Sequence, residues 1–300
     1  MNTPAQSAPT PAPRAAPRPT RIAAVSYLNT TPMIEGLAAW RDAELITAVP
    51  SRLADMVLDA HADIGLVSLA DYARAGQTDN QADNQADNRS NLTLLPCGMI
   101  GCDGPTLTVR VFSAVPPEQI TTLHADTDSH TSVVLAQIIL AEQFGVRPAM
   151  KDFHARERLG SGDDAWPQSM LLIGDKVVTE SPPAVRYPHQ IDLGEAWHQL
   201  TGLPFVYAVW MCRTDRADDP AVRTAAALID RQRRRNTMRL DSVITAEAAK
   251  RGWPGDLARR YIGELLRFEV DDRAREAVSV FLAKAADLDL LPPAEAHWSA

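Results

Sequence analysis

The sequence predicts an α/β protein of two lobes, each a mostly parallel sheet flanked by helices, with a helical C-terminal segment. Three observations carry this. Short apolar runs end in small polar turns that open helix-periodic segments: residues 22–25 run into Ser26-Tyr27-Leu28-Asn29-Thr30-Thr31-Pro32, and residues 64–67 into Ser68. A second such series begins after an alternating strand at 106–114, with a strand at 120–125, a hydroxyl turn at 126–132 and an apolar helix at 133–144. From Asp215 onward the pattern is helical. Strands alternating with helices predict parallel pairing, because a parallel crossover needs a helix-length connection.

Residues 1–20 are rich in Pro and Ala and read as a disordered tail. They lack the apolar stretch of a secretory signal, and the prolines forbid an amphipathic presequence helix. Residues 22–25 have the length and branching of a buried strand. Pro32 suits the first helical position and Thr31 before it suits a cap, so this turn gathers free backbone N–H groups and a dipole end that favour an anion. A second strand is expected at 44–49, followed by a helix capped by Ser51 with Leu53, Met56, Val57 and Ala60 on one face. Ser68 opens the next segment, Leu69-Ala70-Asp71-Tyr72.

Residues 77–88 repeat Gln-Ala-Asp-Asn and read as a solvated loop insertion. Cys97 and Cys102 follow, but no second Cys/His pair with ligand spacing stands near them, so no metal site is expected. In 106–114, Leu107, Val109 and Val111 alternate with Thr108, Arg110 and Phe112. The turn Asp126-Thr127-Asp128-Ser129-His130-Thr131-Ser132 holds more hydroxyls than capping needs, and Gly145 closes the helix behind it. His130 reads as a general base or as an ordinary exposed loop histidine. The strand at 170–173 stops at Gly174-Asp175, where Asp175 is either catalytic or a turn cap. A long apolar strand at 205–211 precedes helices at 221–230, 243–250, 256–266 and 274–286. Arg231, Arg233, Arg234 and Arg235 have no interleaved aromatic residues and read as a solvated helix face, not a nucleic-acid patch.

This order gives lobe 1 as 21–107 with 212–300 and lobe 2 as 108–211, hinged by strands near 106–114 and 205–211. Ligands collect at the carboxyl ends of such strands. Ser26, Tyr27, Asn29, Thr30 and Ser68 then face Ser129, Thr131, Ser132, Gly174 and Asp175 across a cleft.

Composition bounds the partner. Of 300 residues 45% are hydrophobic, and the net charge is −8, which argues against a nucleic-acid role. Any anion must be held by local donors, since the overall field is screened beyond about 8 Å at physiological salt. No apolar run reaches the roughly 18 residues of a membrane helix, and neither metal nor cofactor is called for. Three cysteines, an odd number, fit a reducing cytoplasm.

The blocks Ser26-Tyr27-Leu28-Asn29-Thr30, Asp63-Ile64-Gly65-Leu66-Val67, Gly101-Cys102-Asp103-Gly104-Pro105, Thr131-Ser132-Val133, Leu172-Ile173-Gly174-Asp175 and Asp192-Leu193-Gly194-Glu195-Ala196-Trp197, the last continuing to Trp210, stand in an order that resembles the chorismate dehydratase (MqnA) family of the futalosine route to menaquinone. The resemblance runs from Arg21 to about the C-terminus, apart from 77–88. It implies the two-lobed fold of type II periplasmic binding proteins and the loss of water from chorismate to give 3-[(1-carboxyvinyl)oxy]benzoate. It places Asn29 at the reacting centre and a hydroxyl, usually serine, at Thr108, so these two are the expected catalytic residues. The family usually has arginine where His130 stands, so this chain lacks one fixed cation there. The rival expectations are a solute-binding protein of the same fold, against which the absence of a signal peptide counts, and the 1,4-dihydroxy-6-naphthoate synthase of the same pathway, whose turn the Ser-Tyr-Leu-Asn segment does not resemble. A non-catalytic interaction protein would leave the hydroxyl-rich cleft unexplained. The oligomeric state is not readable.

Overall fold

The computed structural model describes residues 18–76, 91–154 and 166–299. The 77–88 insertion and most of the expected tail lie outside the described residues. The apolar runs form strands β1 (Thr20–Ala24), β2 (Ala43–Thr47), β3 (Ile64–Ser68) and β4 (Leu92–Cys102), then β5 (Val109–Ser113), β6 (Thr122–Asp126), β7 (Ala149–Phe153), β8 (Ser169–Ile173) and β9 (His189–Asp192), and finally β10 (Phe205–Arg213) and β11 (Leu266–Arg267). They make a six-stranded sheet of order β11-β4-β10-β3-β1-β2 and a five-stranded sheet of order β7-β6-β8-β5-β9.

Both sheets are mixed. β1 is parallel to β2 and β3, and β6 is parallel to β7 and β8, as the βα pattern predicts. β10 is antiparallel to β3 and β4, β11 is antiparallel to β4, and β5 is antiparallel to β8 and β9. A strand that re-enters a sheet after passing through the other lobe arrives from the opposite end, and side-chain periodicity carries no record of direction. The segment 205–211, expected as a hinge, runs inside the first sheet for its whole length, from Phe205 beside Cys102 to Arg213 beside Leu92. The chain passes between the sheets in the links 103–108 and 193–204.

The helices are α1 (Thr31–Ile34), α2 (Leu53–Leu58), α3 (Leu69–Arg74), α4 (His130–Phe144), α5 (Lys176–Thr179), α6 (Leu193–Thr201), α7 (Pro220–Thr237), α8 (Leu240–Ala248), α9 (Gly255–Arg260) and α10 (Asp272–Asp287). Ser51 lies in a 3-10 turn and caps nothing, and Thr31 is the first residue of α1 and not its cap. Gly145 ends α4 at φ 68°, the left-handed conformation that glycine adopts without penalty. Order begins inside the expected tail: Arg18 forms a two-pronged ion pair with Asp63, at 2.8 and 2.7 Å, and Thr20 opens β1. Burial pushes the Asp63 carboxyl up, but the Arg18 bonds and the Arg21 N–H outweigh it and hold the group below its ordinary value. Nor is the arginine cluster all solvated. Arg233 is buried on Asp230, and its neighbours Gln232 and Asn236 are buried against the carbonyls at Pro32 and Glu35.

One apolar cluster joins the sheets, with Ala23, Val67 and Val209 from the first and Val111, Leu123 and Leu171 from the second. α4 lies between them, with Leu135, Ile138, Ile139 and Leu140 fully buried, as its lack of a polar face predicts. No described helix is long and apolar enough to cross a membrane, and no metal-ligating cluster occurs among the described residues.

A candidate active site between the two sheets

A cleft of about 650 Å³ of atom-free space opens where the carboxyl ends of β1 and β3 face β5, β8 and the start of α4. Tyr27, Asn29 and Ser68 line it from the first sheet, and Thr106, Thr108, Ser129, Ser132 and Gly174 from the second, with Tyr207 and Tyr261 completing the wall.

On the first side, β1 ends at a 3-10 turn, Leu28–Thr30. The Thr30 hydroxyl donates to the carbonyls of Val25 and Tyr27, at 2.9 and 2.7 Å, which closes the turn and leaves Thr30 fully buried behind it. The turn carries Asn29 forward. Its Oδ1 is buried without a partner, and Tyr261 lines the cleft with it. Ser68 caps α3: its hydroxyl accepts from the Asp71 N–H at 3.2 Å and donates to the Asp71 carboxylate at 2.8 Å. Asp71 then meets His130 Nδ1 at 2.6 Å. His130 therefore links the two sides and does not enter the cleft.

On the second side, Ser129 caps the fifteen-residue α4, accepting from Ser132 N–H at 3.2 Å and donating to Ser132 Oγ at 2.8 Å. A helix of this length presents a true positive end. The turn ahead of it is braced by Lys176, 2.5 Å from Asp126 and 3.0 Å from Asp128. Thr131 turns away from the cleft, and its Oγ1 accepts the Ala70 N–H across the lobes at 3.0 Å.

Thr108 is aimed by its neighbours. Leu107 takes φ 68°, a left-handed conformation costly for a leucine, so the alternation expected from 106 onward breaks and β5 starts only at Val109. Asp192 holds this link, accepting the N–H groups of Thr106 and Leu107 at 2.9 and 2.7 Å while it caps α6. The Thr108 carbonyl accepts from Gly174 N–H at 2.8 Å, and Gly174 sits at φ 72° opposite the Tyr27 ring. The Thr108 hydroxyl meets Tyr261 Oη at 2.7 Å.

Two expected residues stand aside with Thr30 and Thr131. Ser26 is exposed, offering only its carbonyl to Arg251 at 3.0 Å. Asp175 lies at the start of α5 outside the lining, though its charge helps to push the Tyr261 phenol up. Sequence reasoning missed Thr106, Tyr207 and Tyr261. Tyr207 shares a face with Phe205 and Val209 in an apolar strand, and Tyr261 sits in a helix-periodic stretch, so both patterned as core. Burial pushes both phenols upward and keeps them neutral. Among the described residues, no charged side chain lines the cleft.

A family model described as menaquinone biosynthesis matches residues 20–287. The chain belongs to that family. A chorismate dehydratase of Thermus thermophilus is 26% identical over 294 residues, covering 92% of this chain and 98% of the relative. Among solved structures, protein AF1704 from Archaeoglobus fulgidus superposes with TM-score 0.69 at 14% identity, covering 90% of this chain and 98% of that one. The alkanesulfonate-binding protein SsuA from Xanthomonas axonopodis, bound to MOPS, superposes with TM-score 0.60 at 12% identity, covering 93% and 96%. The architecture of this member of the menaquinone biosynthesis family is that of the periplasmic binding proteins.

Proposed function

We propose that this chain is a chorismate dehydratase, a carbon–oxygen hydro-lyase that removes water from chorismate to give 3-[(1-carboxyvinyl)oxy]benzoate at the head of the futalosine route. One observation carries the reading: a cleft with apolar walls whose polar groups are amides and hydroxyls, with no charged side chain among the described residues, bounded by the start of α4 on one side and the unpartnered Asn29 Oδ1 on the other. The family membership and the likeness to a chorismate dehydratase support it.

The substrate is a dicarboxylate whose ring must lose a proton beside the ether and the neighbouring hydroxyl. Aromatisation supplies the driving force, so the protein needs chiefly to hold and orient. The start of α4, with Ser129 and Ser132, suits one carboxylate. Asn29 Oδ1 accepts from a substrate hydroxyl, which removes the penalty of a buried unpaired acceptor. Thr108 stands beside the reacting centre, and Tyr27, Ser68 and Gly174 shape the rest of the cleft. No carboxylate or imidazole of the described residues lines the cleft, so the enolpyruvyl carboxylate of the substrate itself takes the ring proton. The links 103–108 and 193–204 serve as the hinge about which the lobes close, in place of the strands expected there. The free, buried Cys97, Cys102 and Cys212 fit a cytoplasmic setting.

Purified protein mixed with chorismate tests the reading, with the aromatic product followed by absorbance. Turnover is expected; tight binding without product would make the chain a solute-binding protein. The Asp175→Asn variant is expected to keep most of its turnover. Its complete inactivity with binding intact would end the substrate-assisted step.

A further inference from the structure

We infer that Tyr261 is a positioning residue for the dehydration: its phenol occupies the acceptor side of the Thr108 hydroxyl and so turns the Thr108 O–H toward the oxygen that leaves the substrate. This rests on the dehydratase reading of the cleft.

The argument is one of hydrogen-bond direction. Thr108 and Tyr261 are 2% and 1% exposed, and their oxygens lie 2.7 Å apart. A phenol out of water must place its proton on an acceptor, because a buried donor left unmade costs about 1–3 kcal/mol. Two side-chain acceptors stand near: Thr108 Oγ1 and Asn29 Oδ1. The second has no partner, so the phenol proton is not on it. It is on Thr108. The unpartnered Asn29 Oδ1 stays available to the cleft. With its oxygen already accepting, the Thr108 hydroxyl has its own proton to give, and it lines the cleft with no other side-chain partner.

Tyr261 is also held in place. Its ring stacks on Trp253 at 5.0 Å and 9°, and it opens a π-helical turn, Tyr261–Leu265, an irregularity often found at functional sites. Burial keeps the phenol neutral, so Tyr261 supplies direction and not a proton.

The step balances without a proton from the protein. The enolpyruvyl carboxylate takes the ring proton, and the C–H electron pair forms the new ring double bond. The C–O pair departs on oxygen, and the abstracted proton returns to that oxygen to make water. The Thr108 O–H bonds the oxygen while negative charge grows on it, a contribution made in the transition state and not in the ground state.

Steady-state kinetics on chorismate test this with Tyr261→Phe, Thr108→Ala and the double variant, alongside binding of 3-[(1-carboxyvinyl)oxy]benzoate. Tyr261→Phe keeps the stacked ring. It is expected to lower kcat by about ten- to a hundredfold while leaving KM and product affinity within about twofold. A purely structural role would move all of these together. The double variant is expected to be no slower than Thr108→Ala alone, because Tyr261 acts only through Thr108. Wild-type kcat in Tyr261→Phe, or losses that multiply in the double variant, would overturn the role while leaving the dehydratase reading intact. A wild type that makes no aromatic product would overturn both. If Tyr261→Phe does not fold, 3-fluorotyrosine at position 261, a stronger donor of nearly the same shape, is expected to change kcat and not KM, and an unchanged kcat overturns the role.

Discussion

The two turns that face each other across the cleft look alike in sequence and differ in physics. Both put small hydroxyl residues where an apolar run gives way to a helix. At Ser129 the helix is fifteen residues long, and the serine caps it. At Asn29 there is a 3-10 turn followed by a helix of four residues, and the threonine hydroxyl is used up on carbonyls of its own turn. One side therefore offers an aligned backbone dipole, and the other offers a single amide side chain carried on a stiff support. The same composition buys a field on one side and a point contact on the other.

On that contrast, the amide is the least replaceable group in the cleft. Asn29→Asp is close in shape, yet it puts a negative charge beside a dianionic substrate and takes away the amide donor. Turnover is expected to fall by at least about a hundredfold, in the range seen when one charge-stabilising group is lost. Product formation by the purified variant measures it, and activity within a few-fold of wild type would remove Asn29 from the reaction. Thr30→Val tests the support. It removes a hydroxyl shared between two buried carbonyls, and a loss of about 1–2 kcal/mol in stability is expected from chemical denaturation. Because Thr30 does not reach the cleft, KM should stay near wild type as long as the protein is folded. A KM raised tenfold in a well-folded variant would mean that the turn binds substrate through Thr30 after all.

These unequal roles explain what the sequence made legible. A βα unit is a local object: an apolar run, a polar turn and a periodic stretch lie within a few residues, so the strands at the start of each lobe, α4, and the cleft positions Tyr27, Asn29, Ser68, Ser129, Ser132 and Gly174 could be read off the chain. Strand direction depends on which end of the sheet the chain re-enters, and that is set by topology; hence the antiparallel β10 was invisible. Tyr261 stands 153 positions along the chain from the Thr108 hydroxyl it meets, and the helical spacing around it marks it only as apolar surface to be buried. Asp192 reads correctly as a helix cap, but its hold on Thr106 and Leu107 exists only once β9 pairs with β5. Thr30 and Thr131 stand out in the sequence by their hydroxyls. Composition cannot say whether a hydroxyl faces a ligand or the backbone behind it.

The smallest expected effect is on the dipole side, and it separates a field from a contact. Ser129→Ala removes the α4 cap, so Ser132 N–H and Ser132 Oγ lose their partner. The cost of a lost N-cap is about 1 kcal/mol, to be seen as a lower thermal midpoint. The dipole itself belongs to the backbone and survives the change. If the carboxylate is held by the helix end, KM should rise only a few-fold and kcat should hold, since binding weakens alike in ground and transition states. The freed Ser132 N–H would then bond the substrate directly and offset part of the loss. If KM instead rises by a factor approaching a hundred, the Ser129 hydroxyl is itself the anchor. The two sides of the cleft would then work by the same means, through side chains alone.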